Sequence, residues 1–353
     1  MSRDSRHVIL AQISCPSPSN IFPSRINNIN QDRPEKMIDK IDEDLLVCSA
    51  CGTQFDTDDR AELSECYICK DPRQFIPPSG QAFSTLRTLK ENSYRNEWRT
   101  IHENHQTGNH LYSIVTKPKF GIGQRAFLLK TPHGNILWDL IAFIDSETIE
   151  KIQSLGGLTG IVISHPHYYT TYVTWARHFK CPVYVSIEDM SWMTRQIVSD
   201  VDRHLIRESY ATIIPGITAI KCGGHFPGSL VLHWTEDHGI LFIADTIVTV
   251  PSGLNPSPRH SDQSTYTFMW SIPNMIPMSV DDIHQIWTRI KPYNFKRTFG
   301  AFEGLEVSPA TIIDGDSKFE EFGLKKRLLD SMKIVAKQQS GGFEGHALFK
   351  ESA

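Results

Sequence analysis

Cysteine and histidine are the residues of this sequence best suited to chemistry. Four of the seven cysteines stand in two CxxC pairs, Cys48/Cys51 and Cys66/Cys69, with 14 residues between the pairs. Thiolates are soft ligands, and two tight CxxC turns supply the four corners of a zinc tetrahedron. With every corner filled by protein, such an ion is structural, and a core of about 30 residues would not be expected to fold without it. Gly52 fits the turn after the second cysteine, where backbone N–H groups approach sulfur. The competing reading is a pair of redox CxxC motifs. Cys15 and Cys181 read as incidental, and Cys222 either lines a site or fills a small buried space.

Of the 15 histidines, two form an HxH pair in Ile161-Val-Ile-Ser-His165-Pro-His167-Tyr-Tyr, directly after an apolar run. A third, His225, stands in the turn Cys222-Gly-Gly-His-Phe-Pro-Gly, and a later apolar run, Ile240-Leu-Phe-Ile-Ala, ends in Asp245. Each lies at the end of an expected strand, where loops can aim side chains at one point outside a sheet. Three imidazoles and a carboxylate make a ligand set for zinc or iron with room for water. Zinc lowers the pKa of its water from about 16 towards about 7, giving hydroxide at neutral pH. Asp245 either ligates or takes the proton. Tyr168 or Tyr169 either donates to a developing oxyanion or packs at the mouth of the site. His102, His105 and His110 are candidates for outer hydrogen bonds to the ligands. His204, in a polar helical pattern, His233 and His238 carry no expected chemistry.

These residues need strands to hold them. Residues 1–40, rich in Ser, Pro and Asn, read as a flexible leader, 41–80 as the four-cysteine zinc-ribbon-like module, and 81–109 as a connecting segment. From 110 to 340 short β-rich runs give way to alternating strands and helices, and 341–353 form a tail. Strands are expected at Leu111–Thr116, Arg125–Lys130, Asn135–Leu140, Gly160–Ser164, Val183–Ser186, Ile217–Lys221, Leu230–Trp234, Ile240–Ala244 and Arg297–Phe299. Helices are expected at Ser146–Leu155, Thr170–Phe179, Glu188–Ser199, Val280–Ile290 and from about Ser317 to Gln338. The order implies a mixed α/β (α+β) layered domain. The long connection from Pro251 to Asn274, with Arg259, His260, Tyr266 and Trp270, reads as a substrate wall or a packed loop.

Composition narrows the partners. The 353 residues carry 36 Lys+Arg against 40 Asp+Glu, a formal charge of −4. That balance excludes a binder that works by neutralising phosphates, so no nucleic-acid partner is expected. No apolar run reaches the roughly 18–20 residues of a membrane span, and the N-terminus has no secretory h-region. A small-molecule substrate, no membrane partner and a cytoplasmic location are the expectations; oligomeric state stays open.

Strand-HxH, Gly-Gly-His and strand-Ala-Asp, in this order and spacing over residues 110–335, resemble the metallo-β-lactamase-fold hydrolases. The resemblance implies an αββα sandwich with metal at one edge of the sheets. Under it His165, His167 and His225 match the first-site ligands, and Asp245 matches the carboxylate that bridges two metals in binuclear members. The neighbourhoods Gly123-Gln-Arg-Ala, Ser164-His-Pro-His-Tyr-Tyr and Ser271-Ile-Pro-Asn are similar to a divergent subgroup with an N-terminal cysteine ribbon. The usual HxHxDH signature departs here to Tyr169 and Thr170, and no histidine stands near Phe299–Gly304, where Glu303 is the available substitute for a late ligand. One metal is therefore expected in the main site. Three readings follow: a hydrolase of an ester, thioester, lactone or amide with metal-bound hydroxide; a noncatalytic metal-containing binding protein; and a mononuclear iron oxygenase using His165, His225 and Asp245.

Overall fold

A computed structural model describes residues 42–196, 198–255, 263–308, 317–342 and 344–353, all within one compact unit spanning 39–353. The expected leader, with Cys15, lies outside the described residues, as do Arg259 and His260.

Two mixed sheets form the core. The first has seven strands in sequence order: β1 (Arg95–Asn104), β2 (Asn109–Lys117), β3 (Ala126–Thr131), β4 (Gly134–Trp138), β5 (Gly160–Val162), β6 (Val183–Ser186) and β7 (Arg203–Ile206). β1 to β4 pair antiparallel, and β4 to β7 pair parallel. Helices Ser146–Ser154 and Tyr172–Phe179 make the crossovers between the parallel strands. The second sheet runs β8 (Tyr210–Ile214), β9 (Ile217–Lys221), β10 (Leu230–Trp234), β11 (Ile240–Ala244), β12 (Arg297–Gly300) and β13 (Glu306–Val307), antiparallel except for the parallel pair β11/β12.

Alternation assigns the faces. Leu230, Leu232 and Trp234 of β10, with Ile240 and Phe242 of β11, join the core shared with the first sheet. Their neighbours Val231, Leu241 and Ile243 turn outward onto Ile283, Ile286, Trp287 and Ile290 of helix Val280–Ile290. A period of two puts alternate residues on opposite faces, so both faces of these strands are apolar and both are covered. Between the sheets Phe127, Phe242 and Phe299 interlock with ring centroids 5.0–5.5 Å apart. The product is the αββα sandwich that the resemblance implies.

Several elements differ from expectation. Residues 81–109, read as a connection, contain helix Leu86–Glu91 and the ten-residue strand β1. β1 is an outer strand whose side chains are exposed or half-buried throughout, so it lacks an apolar alternation to read. The expected helix Glu188–Ser199 is a 3₁₀ helix, Ile187–Trp192, and His204 lies on strand β7 rather than on a helix. The C-terminal helix Ser317–Gln339 is interrupted at Gly323, whose φ of 58° no α-helix permits.

The cysteine segment is pinned to the sandwich through Gln54. Its side-chain amide accepts from Arg195 Nη1 (2.7 Å), while its main-chain N–H donates to the Thr170 carbonyl (3.1 Å) and its own carbonyl accepts from Thr194 Oγ1 (2.5 Å). Arg195 also reaches Asp42 (3.0 Å) and Asp56 (2.5 Å). Among the described residues no helix is long and apolar enough to cross a membrane.

Candidate metal centres

Ser164 is where the two sheets are tied. Its N–H donates to Asp139 Oδ1 beyond the end of β4 (2.7 Å), and its carbonyl accepts the N–H of Leu230 on β10 (2.9 Å). The next residue, His165, has Nδ1 2.8 Å from Ser164 Oγ. Pro166 opens a single 3₁₀ turn, Pro166–Tyr168, that carries His167 round to the same side. His225 arrives from β9 through Gly223 and Gly224, at φ 74° and 86°. The left-handed φ of Gly224 favours glycine, and a Cβ there would also lie 2.7 Å from Met278 Sδ. Asp245 follows β11 directly.

The donors converge. One ligand atom from each of His165, His167, His225 and Asp245 lies within 4.8 Å of the others, and all four side chains are buried. His225 Nε2 is 3.3 Å from His167 Nδ1, and Asp245 Oδ2 is 3.4 Å from His165 Nε2 and 4.0 Å from His225 Nε2. A tetrahedron with 2.0–2.1 Å bonds has edges of about 3.3–3.4 Å. His165 Nε2, which faces Asp245, is buried without a hydrogen-bond partner, a costly state that a cation among the donors relieves.

Electrostatics suit a cation. Burial pushes His167 well below the ordinary imidazole pKa and His225 down to about 4, which keeps their lone pairs free. His225 Nδ1–H donates to the Met269 carbonyl (3.2 Å), so Nε2 is the unprotonated nitrogen facing the cluster. Burial works to raise Asp245, but its contacts with His165, His225 and Tyr168 outweigh it and hold the carboxyl below its usual range. Burial and the Asp245 charge push Tyr168 far up, so the phenol stays protonated and donates to Asp245 Oδ1 at 2.6 Å.

The four cysteines form a second cluster. Cys48 Sγ is 3.7 Å from Cys69 Sγ and Cys51 Sγ is 3.6 Å from Cys66 Sγ; all four are buried and unbridged by disulfides. Zinc–sulfur bonds of 2.3 Å give tetrahedral edges of about 3.8 Å. Burial pushes the Cys51 thiol upward, so joint ionisation of the set needs a cation in its midst.

No family model matches the chain. Over 262 residues it is 37% identical to the uncharacterized protein YmaE of Bacillus subtilis (strain 168), spanning 72% of this chain and 88% of YmaE. The chain belongs to the YmaE family. Since YmaE is itself uncharacterized, membership of the YmaE family brings no activity with it. Among solved structures the chain is similar to the metallo-β-lactamase FIM-1 from Pseudomonas aeruginosa in its mono-zinc form (12% identity, TM-score 0.44, 69% of this chain and 96% of that one). It is similar to the DIM-1 metallo-β-lactamase (12%, 0.44, 69% and 98%) and to a peroxy diiron species of the chemotaxis sensor ODP (15%, 0.42, 61% and 91%). The zinc of the first and the iron of the last are those proteins' own.

In this YmaE-family chain the remaining sequence candidates, Tyr168 excepted, lie apart from the donors. Tyr169, expected as an alternative oxyanion donor, is buried with its hydroxyl donating to the Asp189 carbonyl (3.2 Å). Tyr168 is no free donor either, because its proton is committed to Asp245. Thr170 sits at φ 41° and spends its carbonyl on Gln54, so this position docks the cysteine module. Glu303, the substitute considered for a late ligand, is 44% exposed and pairs with Lys117 at 2.9 Å. His102 lies 3.3 Å from Glu236, which also accepts from Asn104 and Asn109, so this histidine serves the β1/β2 hairpin. His105 is exposed, and His110 stacks on Tyr112. His233 Nε2 sits 2.8 Å from the Asn294 carbonyl, and Cys222 packs in the outer core. Within the 251–274 connection Tyr266 is buried against Thr298, and Met269 supplies the carbonyl that orients His225.

Three residues near the histidines were missed. Asp139, at φ 56°, has its carboxyl pushed up to about 8 by burial; a carboxylate at the end of an apolar strand was the available signal. Asp189, raised to about 7 by burial, accepts from Gly228 N (3.0 Å). Arg73 donates to the His225 carbonyl (3.1 Å) from 152 positions away, a separation that no local pattern encodes.

Proposed function

We propose that the chain is a metal-dependent hydrolase with a mononuclear three-histidine centre on His165, His167 and His225, Asp245 standing beside it and the fourth position left to water, acting on an ester, thioester, lactone or amide of a small molecule. The observation that carries this is the convergence of three imidazoles and an ionised carboxylate, all buried within 4.8 Å of one another where two sheets are joined. Bound zinc supplies Lewis acidity and a water of lowered pKa at such a site. The chain's own residues do the rest. Asp245, with Oδ1 held by Tyr168, keeps Oδ2 turned to the histidines as the atom that takes up a proton. The Met269 carbonyl fixes the tautomer of His225. Phe226 packs edge-on to His167 at 4.9 Å and excludes water from that side.

The same reading places the chain in the divergent Ser-His-Pro-His-Tyr-Tyr subgroup of metallo-β-lactamase-fold hydrolases, with structural zinc on Cys48, Cys51, Cys66 and Cys69 and a cytoplasmic location. A second reading has its own support: His165, His167, His225 and Asp245 are each at most 6% exposed, the enclosure of a closed metal-binding protein. A panel of ester, thioester, lactone and amide substrates, run on wild type and Asp245→Ala with metal content measured alongside, separates them. The hydrolase reading expects turnover that falls by about 10² or more in Asp245→Ala. A fully metal-loaded wild type with no turnover on the panel supports the closed binding protein.

A further inference from the structure

The segment Asp71-Pro72-Arg73 leaves the cysteine cluster and ends at the histidine cluster. It begins two residues after Cys69, and Asp71 N–H donates to the Ile68 carbonyl, closing the short helix that carries Cys69. Arg73 is clamped by Asp71 through two hydrogen bonds of 2.6 Å, and both side chains are at most 10% exposed. From that clamp its Nη1 donates to the main-chain carbonyl of His225 (3.1 Å). Its guanidinium lies 3.7 Å from the ring centroid of Phe226, and that ring in turn packs 4.9–5.6 Å from His167, His225 and His165. Stacking on an aromatic face and a bidentate clamp are what arginine does and lysine does poorly.

The other end of His225 is reached from the same segment. The Pro72 carbonyl accepts from Ser271 Oγ (2.7 Å) and Asn274 Nδ2 (2.6 Å). Ser271 ends the strand Met269–Ser271, whose first residue supplies the carbonyl that accepts from His225 Nδ1. Main chain and imidazole of one ligand are thus both set by three residues of the cysteine module.

We propose that Arg73 is a positioning residue for His225 and that, through Asp71-Pro72-Arg73, metal in the four-cysteine site raises the metal affinity of the histidine centre. The proposal rests on the reading of His165, His167, His225 and Asp245 as a metal centre. Ordering the cysteine module fixes Asp71 and Pro72, and these hold His225 in ligating geometry; by linkage, metal on the histidines tightens the cysteine site equally. Outer-sphere partners of metal-bound histidine typically contribute 10- to 100-fold in affinity.

The test is a cobalt(II) titration of the full-length metal-free chain. The thiolate-to-cobalt charge-transfer band reports the cysteine site, and the ligand-field bands of a nitrogen–oxygen set report the histidine centre. Arg73→Met is expected to weaken cobalt binding at the histidine centre about 10- to 100-fold while the charge-transfer band still reaches its wild-type amplitude at saturation. Arg73→Lys, which keeps a donor for the His225 carbonyl, recovers part of the loss. Arg60→Met serves as control: Arg60, in the same module, stacks on Phe83 at 4.6 Å and bonds the Ser64 carbonyl, with no contact to His225 among the described residues, so it leaves both bands unchanged. The double variant Ser271→Ala/Asn274→Ala, which frees the Pro72 carbonyl, carries the same expectation as Arg73→Met and replaces it if that variant does not fold. Wild-type affinity at the histidine centre in Arg73→Met, or an equal loss in Arg60→Met, overturns the coupling alone. A wild type without nitrogen–oxygen bands overturns the metal-centre reading itself and the coupling with it.

Discussion

Replacing Tyr168 with Phe removes one hydroxyl from a fully buried position and little else. The ring that packs 4.4 Å from His165 stays, and the change is nearly neutral in volume. What is lost is the 2.6 Å hydrogen bond to Asp245 Oδ1, leaving a buried carboxylate oxygen without its donor. Hydrogen bonds to charged groups contribute about 1.5–3 kcal/mol, so the metal-free variant should be less stable by about 2 kcal/mol. The pH dependence has a definite sign. Asp245 titrates below its ordinary value in the folded chain, so its ionised form adds stability above the unfolded pKa of about 3.9, and that stability is lost as pH falls through the folded value. Without the Tyr168 donor the folded value moves up, the contribution shrinks, and acid unfolding begins at higher pH. Urea unfolding at pH 7 and an acid titration followed by near-ultraviolet circular dichroism, both on metal-free protein, measure the two effects. A stability loss below about 0.5 kcal/mol with an unchanged acid midpoint would refute the role given to this contact.

Two further substitutions probe the frame around the site. Arg125 is a buried guanidinium that donates to the Gly300 carbonyl (2.9 and 3.1 Å) and to Glu306 (2.7 Å), so Arg125→Met strands acceptors at the β12/β13 edge. It should cost about 3–5 kcal/mol in chemical denaturation, and a cost under about 1 kcal/mol would show that the pair contributes little. Asp139, raised to about 8, holds a proton in the folded chain that the unfolded chain releases above about 3.9. Its contribution to the stability of metal-free protein therefore falls as pH rises through that window. Asp139→Asn keeps an acceptor for Ser164 N–H and should flatten this decline; an unchanged slope between pH 4 and 8 would show that Asp139 is not its source.

What could be read from sequence was local. Val183–Ser186, Ile217–Lys221, Leu230–Trp234, Ile240–Ala244 and Val280–Ile290 have the bounds that their apolar patterns suggest, because strands and helices buried against a core print their period in the sequence. The histidine and cysteine sets were legible for a related reason: each ligand sits beside its own strand end or CxxC turn. β1 was not legible, since among its Arg, Asn, Glu and His residues only Trp98 and Ile101 pack against the core and a register shift between Thr100 and His102 interrupts their alternation. The 3₁₀ helix Ile187–Trp192 was read as a longer helix because its first turns carry helical spacing, while the chain beyond it returns to the sheet at β7. Contacts at long separation left no trace at all. Gln54 on Thr170, Arg195 on Asp42 and Arg73 on His225 each join segments more than 100 positions apart.

The central claim is that one chain holds two separate metal sites, one of four cysteines and one of three histidines with an aspartate. Elemental analysis of full-length protein, wild type beside His165→Ala, tests it most directly. About two metal equivalents per wild-type chain and about one in His165→Ala are expected, the survivor being zinc on the cysteines. A wild type with a single equivalent, or a His165→Ala protein with the wild-type count, would contradict it.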